Sequence, residues 1–405
     1  MKWEKVKLED VCEITSSKRI FYSEYVDDGV PFYRSKEIIE SDEGKVIENP
    51  LYISVDKYNE IKEKFGVPQT GDMLLTSVGT IGIPYIIKKN DCFYFKDGNL
   101  TWFRDFREGL NSKYLYYWIK SSEGTGILYN TTIGSSQKAL TISALKNIKV
   151  SLPPRSVQDK IVEVVSAYDN LIENNQKQIK LLEEATQRLY KEWFVDLRFP
   201  GHENTKIVDG VPEGWNWCKL EDAIQLDPKV TLTKERMKQF IPMSALSTSS
   251  MVLDESQFTE TTSNSGSKFQ NGDTLLAKIT PCLENGKTAY VSGLKSDEGA
   301  VGSTEYIVMR AKTINSYMVY LLARTDDFRQ SAINSMSGSD GRQRVKSDKL
   351  KMLDYLHPTS ELVEKFENVE EPIFEKIYRL SKQMQQAKQA RDLLLPKLMS
   401  GEVEV

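Results

Sequence analysis

The most regular pattern in the chain is a stripe of mostly apolar positions: Ile161, Val165, Tyr168, Ile172, Asn175, Ile179, Leu182, Thr186, Leu189 and Trp193. Its steps alternate between four and three residues, the 3.5-residue period of a helix packed lengthwise on another helix. A second stripe, Ile373, Ile377, Leu380, Met384, Ala387, Arg391, Leu394 and Leu398, keeps the same alternation. The two are expected to pair as an antiparallel coiled coil. Asn175 and Thr186 interrupt the apolar seam, and a buried Asn weakens such a pair while fixing its register. Pro372 implies a break or a fresh first turn in the second stripe. Ser156 with Asp159, after Pro153 and Pro154, and Ser360 with Glu361, after Pro358, are expected to mark the helix starts. A helix from Ile161 to Trp193 would be about 50 Å long at 1.5 Å per residue. That exceeds one turn of duplex DNA, about 34 to 36 Å.

Outside these stripes the period changes. Runs such as Tyr85-Ile86-Ile87 and Tyr306-Ile307-Val308-Met309 alternate with Gly, Asn and Asp, as strands alternate with turns. Ser112 to Lys120 and Ser316 to Arg324 are aromatic-rich at helical spacing, and their aromatics are expected in a core. These features come in ordered pairs. WEKVKLED from Trp3 is echoed by WNWCKLED from Trp215, Val30-Pro31 by Ile241-Pro242, and GDMLLTSVG from Gly71 by GDTLLAKIT from Gly272. Gly134-Ser135 then leads to Leu145-Lys146 and Pro153, as Gly338-Ser339 leads to Leu350-Lys351 and Pro358. Matches in the same order identify a tandem duplication. The expected fold class is α+β, with two α/β-type domains of similar fold joined by two long helices in a pseudo-twofold arrangement. The expected boundaries are 1–155 and 199–358 for the globular domains, with 156–198 and 359–405 for the helical regions.

Composition narrows the partners. A chain of 405 residues exceeds one ordinary core, and 40% apolar with 28% charged residues describes a globular protein. The net charge of -4, from 54 basic and 58 acidic residues, lacks the basic signature of a small autonomous DNA-binding domain, so a polyanion would have to be met locally. The opening segment has no apolar stretch like a secretory signal, and no apolar run approaches the ~18 residues of a membrane span, so a cytoplasmic location is expected. Cys12, Cys92, Cys218 and Cys282 form no C-x-x-C pair and are expected to be reduced and mostly buried.

Several catalytic readings fail at the level of residue type. The stretch Pro281 to Thr288 ends in GKT but has Pro281 where a phosphate-binding loop needs its first glycine, and Asn285-Gly286 predicts a hairpin turn instead. His202 and His357 are the only histidines, which leaves no zinc helix and no convincing nucleophile-histidine set. Leu152-Pro153-Pro154-Arg155 lacks the polar and aromatic residues of an adenine methyltransferase tetrapeptide. Glu40, Asp42 and Glu43 are expected to be solvated surface. No metal site and no catalytic residue is expected.

The ordered motifs resemble those of the DNA specificity subunits of type I restriction-modification systems. They are GDMLL from Gly71, GDTLL from Gly272, Leu152-Pro153-Pro154 before the first helix, KEWFVD from Lys191 after it, and LLPKLMSGE ending at Glu402. The resemblance implies a non-catalytic subunit whose two target recognition domains each read half of a bipartite, asymmetric DNA target. It further implies two modification (methyltransferase) subunits on the helical regions, with restriction subunits joining through them, for adenine methylation or ATP-dependent cleavage. S-adenosylmethionine, ATP and Mg belong to those partners, and none is expected on this chain. A DNA-modifying enzyme with an unfamiliar site, or a coiled-coil adaptor that does not read DNA, are the alternatives.

Polar loops with amide and cationic side chains can reach base edges or phosphates. In the first domain the candidates are Arg34, Ser35, Lys36, Thr76, Ser77, Thr80, Ser135, Ser136, Gln137 and Lys138. In the second they are Ser244, Lys278, Thr280, Arg342, Gln343, Arg344 and Lys346.

Overall fold

A computed structural model describes residues 3–44, 47–134, 138–338 and 343–405. Its contacts form two compact units, residues 1–173 with 386–405, and residues 174–385, so each unit takes in part of both long helices.

The repeat read in the sequence is a repeat of structure. Unit 1 has an antiparallel sheet in the order Glu13–Thr15, Leu100–Arg104, Met73–Thr76, Pro84–Ile86. Unit 2 repeats it as Ile224–Leu226, Tyr306–Ala311, Thr274–Ala277, Thr288–Tyr290. The matched GD motifs explain themselves here. Gly71 and Gly272 take φ of 93° and 87°, a left-handed turn that glycine enters without strain. The next residue closes that turn: Asp72 Oδ2 accepts from Gln69 N at 2.9 Å, and Asp273 Oδ2 from Gln270 N at 2.7 Å. The apolar residues that follow are buried strand centres.

A second sheet shares three strands and differs at its edges. Val30–Tyr33 lies between antiparallel Leu51–Ile53 and parallel Tyr94–Phe95. Lys238–Ile241 lies likewise between Thr259–Thr261 and Ala300–Gly302. Unit 1 adds Tyr25–Val26 beyond the antiparallel neighbour, whereas unit 2 adds Ser267–Phe269 beyond the parallel one. The parallel registers pair Tyr33 with Phe95 and Ile241 with Gly302, so Tyr33 and Ile241 are equivalent. The Val30-Pro31 and Ile241-Pro242 echo is therefore out of register and coincidental.

KLED opens each unit as a strand that turns inward. Glu4–Lys7 pairs with Lys149–Leu152, and Asn216–Lys219 with Asp354–His357; Leu8 and Leu220 then bury their side chains. The helices Ser112–Lys120 and Ser316–Arg324 are capped by Asn111 and Asn315, and Tyr114, Trp118, Met318 and Tyr320 are buried as expected of core. The Asn285-Gly286 turn leads into Thr288–Tyr290, which excludes a phosphate loop there.

The long helices are Arg155–Tyr190 and Ser360–Ser400. Within each unit they run antiparallel. In unit 1, Lys160 reaches Val405 while Asp169 meets Arg391; in unit 2, Asn175 meets Gln383 while Trp193 packs on Phe366. The pairing stripe differs from the expected one in its later turns. Ile161, Val165, Ile172, Asn175, Ile179, Thr186 and Trp193 are buried, with Tyr168 half-buried, but Leu182 and Leu189 sit at the rim while Glu183 and Tyr190 are buried in their place. In the second helix Ile377, Leu380, Ala387 and Leu398 are buried, Met384 and Arg391 half-buried, and Phe374 and Leu395 displace Ile373 and Leu394 inward. In unit 2 both helices also pack on the globular body: Glu183 accepts from Ser250 Oγ at 2.7 Å and from Met251 N at 2.9 Å, and Phe374 packs on Tyr290 and Tyr317, so the buried face extends beyond a helix-to-helix seam.

Three local expectations are corrected. Pro372 does not break its helix: its ring is exposed, and Phe366, Phe374 and Ile377 hold the turns on either side in the core. Ser156 and Ser360 are not the caps. Pro154 O receives Val157 N at 2.9 Å, and Thr359 Oγ1 accepts from Leu362 N at 3.3 Å. Of the four free cysteines only Cys12 is buried, where burial pushes its thiol up to about 12; Cys92 is exposed.

Candidate nucleic-acid interface

In both units the strand after the GD turn runs out into a loop pinned by the same backbone bonds. In unit 1, Ser77 N donates to Asn99 O (2.8 Å), Leu140 N donates to Ser77 O (2.9 Å), and Ile133 and Ala139 exchange two bonds of 2.9 Å. In unit 2, Lys278 N donates to Glu305 O (3.0 Å), Val345 N donates to Lys278 O (2.9 Å), and Ser337 and Arg344 exchange two bonds of 3.0 Å. Bridges from Val78 to Ala139 and from Ile279 to Arg344 complete each ribbon. Three loops thus converge twice on one scaffold, with Ser77, Asn99 and Ala139 of the first unit standing where Lys278, Glu305 and Arg344 stand in the second.

The side chains on that scaffold are different. In unit 1, Thr76 and Ser77 are interior rather than exposed. Thr76 Oγ1 accepts from Ile83 N at 2.9 Å, and Ser77 Oγ lies 2.7 Å from Thr101 Oγ1, because Thr76 ends the buried strand and Ser77, just after it, is still inside the core. They are unavailable to a ligand. Thr80 and Lys138 are exposed. The Lys138 ammonium lies 3.6 Å from the centroid of the exposed Tyr129 ring and holds its phenol below the usual value. Arg34 and Lys36 lie apart in sequence from this ribbon. Arg34 forks onto buried Glu37, with Nη2 to Oε1 at 2.6 Å, and Lys36 is 3.7 Å from Glu40; Ser35 is half-buried. Ser135, Ser136 and Gln137 lie outside the described residues, as does Arg342.

In unit 2 the ribbon carries a preset ion pair. Arg344 Nε donates to both oxygens of Glu305 (3.1 and 2.9 Å), and Nη2 donates to Oε1 at 2.8 Å. This guanidinium holds the Glu305 carboxyl below the usual carboxylate range. Around it, Thr280 N donates to Gln343 O at 3.2 Å, Thr280 Oγ1 donates to Glu284 at 3.1 Å, Lys278 is half-buried and Lys346 exposed. Ser244 is exposed in the turn Met243–Ala245, whose Met243 O receives Lys287 Nζ at 2.9 Å. Glu305 carries no motif of its own; only the repeat, which places it opposite Asn99, exposes it.

Among the described residues no cluster of three or more His, Cys, Asp or Glu side chains is arranged to hold a metal ion, and no helix is long and apolar enough to cross a membrane. His202 Nδ1 lies 2.9 Å from Phe199 O, and His357 Nε2 lies 2.8 Å from Thr313 Oγ1.

Residues 1–184 match the family described as type I restriction modification DNA specificity domain. The whole chain aligns, at 27% identity, with 94% of the MjaIX type I restriction enzyme specificity subunit of Methanocaldococcus jannaschii. A third of the chain aligns at 36% identity with 24% of the EcoAI type I restriction enzyme specificity subunit of Escherichia coli. The fold is that of the S subunit of a type I restriction-modification system from M. genitalium, with a TM-score of 0.61 over 98% of this chain and 96% of that one at 14% identity.

Proposed function

We infer that the chain is one of the DNA specificity subunits of type I restriction-modification systems, and on that premise we propose that its two α/β bodies each read one half of a split, asymmetric DNA target. The family makes it a DNA-recognition component rather than a catalytic one. The observation that carries the finer reading is one loop scaffold built twice with unlike side chains: Asn99 and Ala139 in one copy, Glu305 and Arg344 in the other. Loop chemistry can vary while a scaffold persists, and base edges are read by side chains. The contact candidates are Thr80 and Lys138 in the first unit and Lys278, Thr280, Gln343, Arg344 and Lys346 in the second. Arg34, Lys36 and Ser244 are proposed as phosphate or rim contacts.

The fourfold division 1–155, 156–198, 199–358 and 359–405 assigns reading to the globular parts and assembly to the helices. A pseudo-twofold pair of helical regions would offer nearly one surface twice, which suits two copies of a modification subunit carrying S-adenosylmethionine. Restriction subunits using ATP and Mg would join through them. With a net charge of -4, the chain alone should bind duplex weakly and gain phosphate contacts from its partners.

Mapping the methylated motif in cells that carry the assembled complex tests this reading. Two unlike specified halves separated by a fixed gap are expected; a continuous or palindromic motif contradicts it. Four residues inserted between positions 175 and 186 should change the tolerated gap and leave both halves intact.

A further inference from the structure

We infer that Arg344 reads a guanine in the half-site of unit 2, with Glu305 as the positioning residue that aims it. This rests on the reading above that the unit 2 ribbon faces DNA, and goes beyond it by naming a base and an orienting partner.

The geometry leaves one edge of the guanidinium for a ligand. Nε and Nη2 are directed onto Glu305, so the free donors are Nη1 and the remaining Nη2 hydrogen, two parallel N–H groups along the outer edge. In the major groove only guanine offers two adjacent acceptors, O6 and N7, to such a fork; adenine pairs an acceptor with a donor. Phosphate also offers two acceptors, but the carboxylate decides against it. A guanidinium neutralised by Glu305 has given up the net charge from which a phosphate contact draws its strength, while keeping its donor directions.

Both members of the pair are held in place. Arg344 exchanges two backbone bonds of 3.0 Å with Ser337. Glu305 O receives Lys278 N at 3.0 Å, and Glu305 N donates to Ser303 Oγ at 3.2 Å. The Arg344 side chain is 46% exposed against 24% for Glu305, so the cation is the outer member and the carboxylate lies behind it. A fork fixed before binding loses little freedom on contact, which sharpens discrimination. Unit 1 has Ala139 and Asn99 at the equivalent positions, so it has no such reader there.

The test uses the complex assembled with its modification subunits and a duplex library randomised across both halves of the mapped motif. The wild-type complex should prefer guanine at one position of one half. Arg344→Ala should erase that preference, about tenfold or more, while every position of the other half keeps its ranking. Arg344→Lys, which retains the charge without the planar fork, should still bind but discriminate less. Glu305→Gln should weaken the same preference while total affinity holds or rises, the opposite of what damage to the fold would do. The inference is overturned if Arg344→Ala weakens all sequences equally and lowers the salt slope by about one, the signature of a phosphate contact. It is also overturned if the preference survives in Arg344→Ala. A wild-type complex with no base preference in either half would instead overturn the premise that this chain reads DNA.

Discussion

The two units solve one structural problem, attaching an α/β body to a pair of helices, with different chemistry. Unit 1 uses polar anchors. Gln158 is fully buried on the first helix; it accepts from Asn111 N at 2.9 Å and donates to Gly109 O and Pro153 O at 2.8 Å each. Asp169 accepts from Tyr117 Oη and from Arg391 Nη1, both at 2.7 Å. Unit 2 uses rings. Phe366 packs against Trp193 and Phe194 at 5.4 and 4.9 Å, and Phe374 against Tyr317 and Tyr290 at 4.7 and 5.2 Å. A wide turn at Lys191–Val195, closed by Asp196 N to Lys191 O at 2.8 Å, turns both Trp193 and Phe194 toward Phe366. A duplicated scaffold can therefore keep its geometry while one copy depends on directional hydrogen bonds and the other on buried aromatic area.

That contrast predicts unequal damage. Phe366→Ala should cost unit 2 about 3 to 5 kcal/mol by leaving a cavity between the helices, read as a large fall in the denaturation midpoint. Gln158→Ala should cost unit 1 about 2 to 3 kcal/mol, because two carbonyls and one N–H lose their partner in a buried site.

The next prediction runs the other way. Glu370 lies buried where the first helix has Val165, since Lys149–Leu152 and Asp354–His357 stand 205 residues apart, as do Ile142–Lys146 and Ser347–Lys351. Neither of its carboxyl oxygens has a hydrogen-bond partner among the described residues, and burial raises its pKa to about 7. The folded state thus holds a proton that the unfolded state releases near 4.5, so this contribution to stability is intact below about 4.5 and is lost as pH rises through about 7. Glu370→Val should flatten that dependence and stabilise the protein by about 1 to 3 kcal/mol above pH 7, measured by thermal denaturation across pH. The smallest effect, about 1 kcal/mol, is expected for Thr359→Ala, which removes the N-cap hydroxyl.

Much of this architecture was legible because the repeat is carried by residues with mechanical reasons to persist. Gly71 and Gly272 need a left-handed turn, and Leu8 and Leu220 fill the same corner. Helix pairing was legible for the same reason. Its register was not, because a four-three alternation counts only helix-to-helix packing whereas these helices also pack on a globular body, and because Glu183, buried against Ser250 and Met251, does not look like a seam residue. Thr76 and Ser77 read as a Gly-punctuated polar loop, but Thr76 ends a buried strand and Ser77 follows it still inside the core. Glu305 stayed hidden because a lone acid signals nothing until its partner 39 residues later is placed beside it.

The central claim is a division of labour, in which each copy of the ribbon specifies its own half of the target. The most direct measurement is the methylated motif written by complexes carrying Lys138→Ala or Arg344→Ala separately. The account predicts that the first change relaxes bases in one half only and the second relaxes bases in the other half only. If both substitutions alter the same half, or if either alters both, the two ribbons do not read separately and the account is wrong.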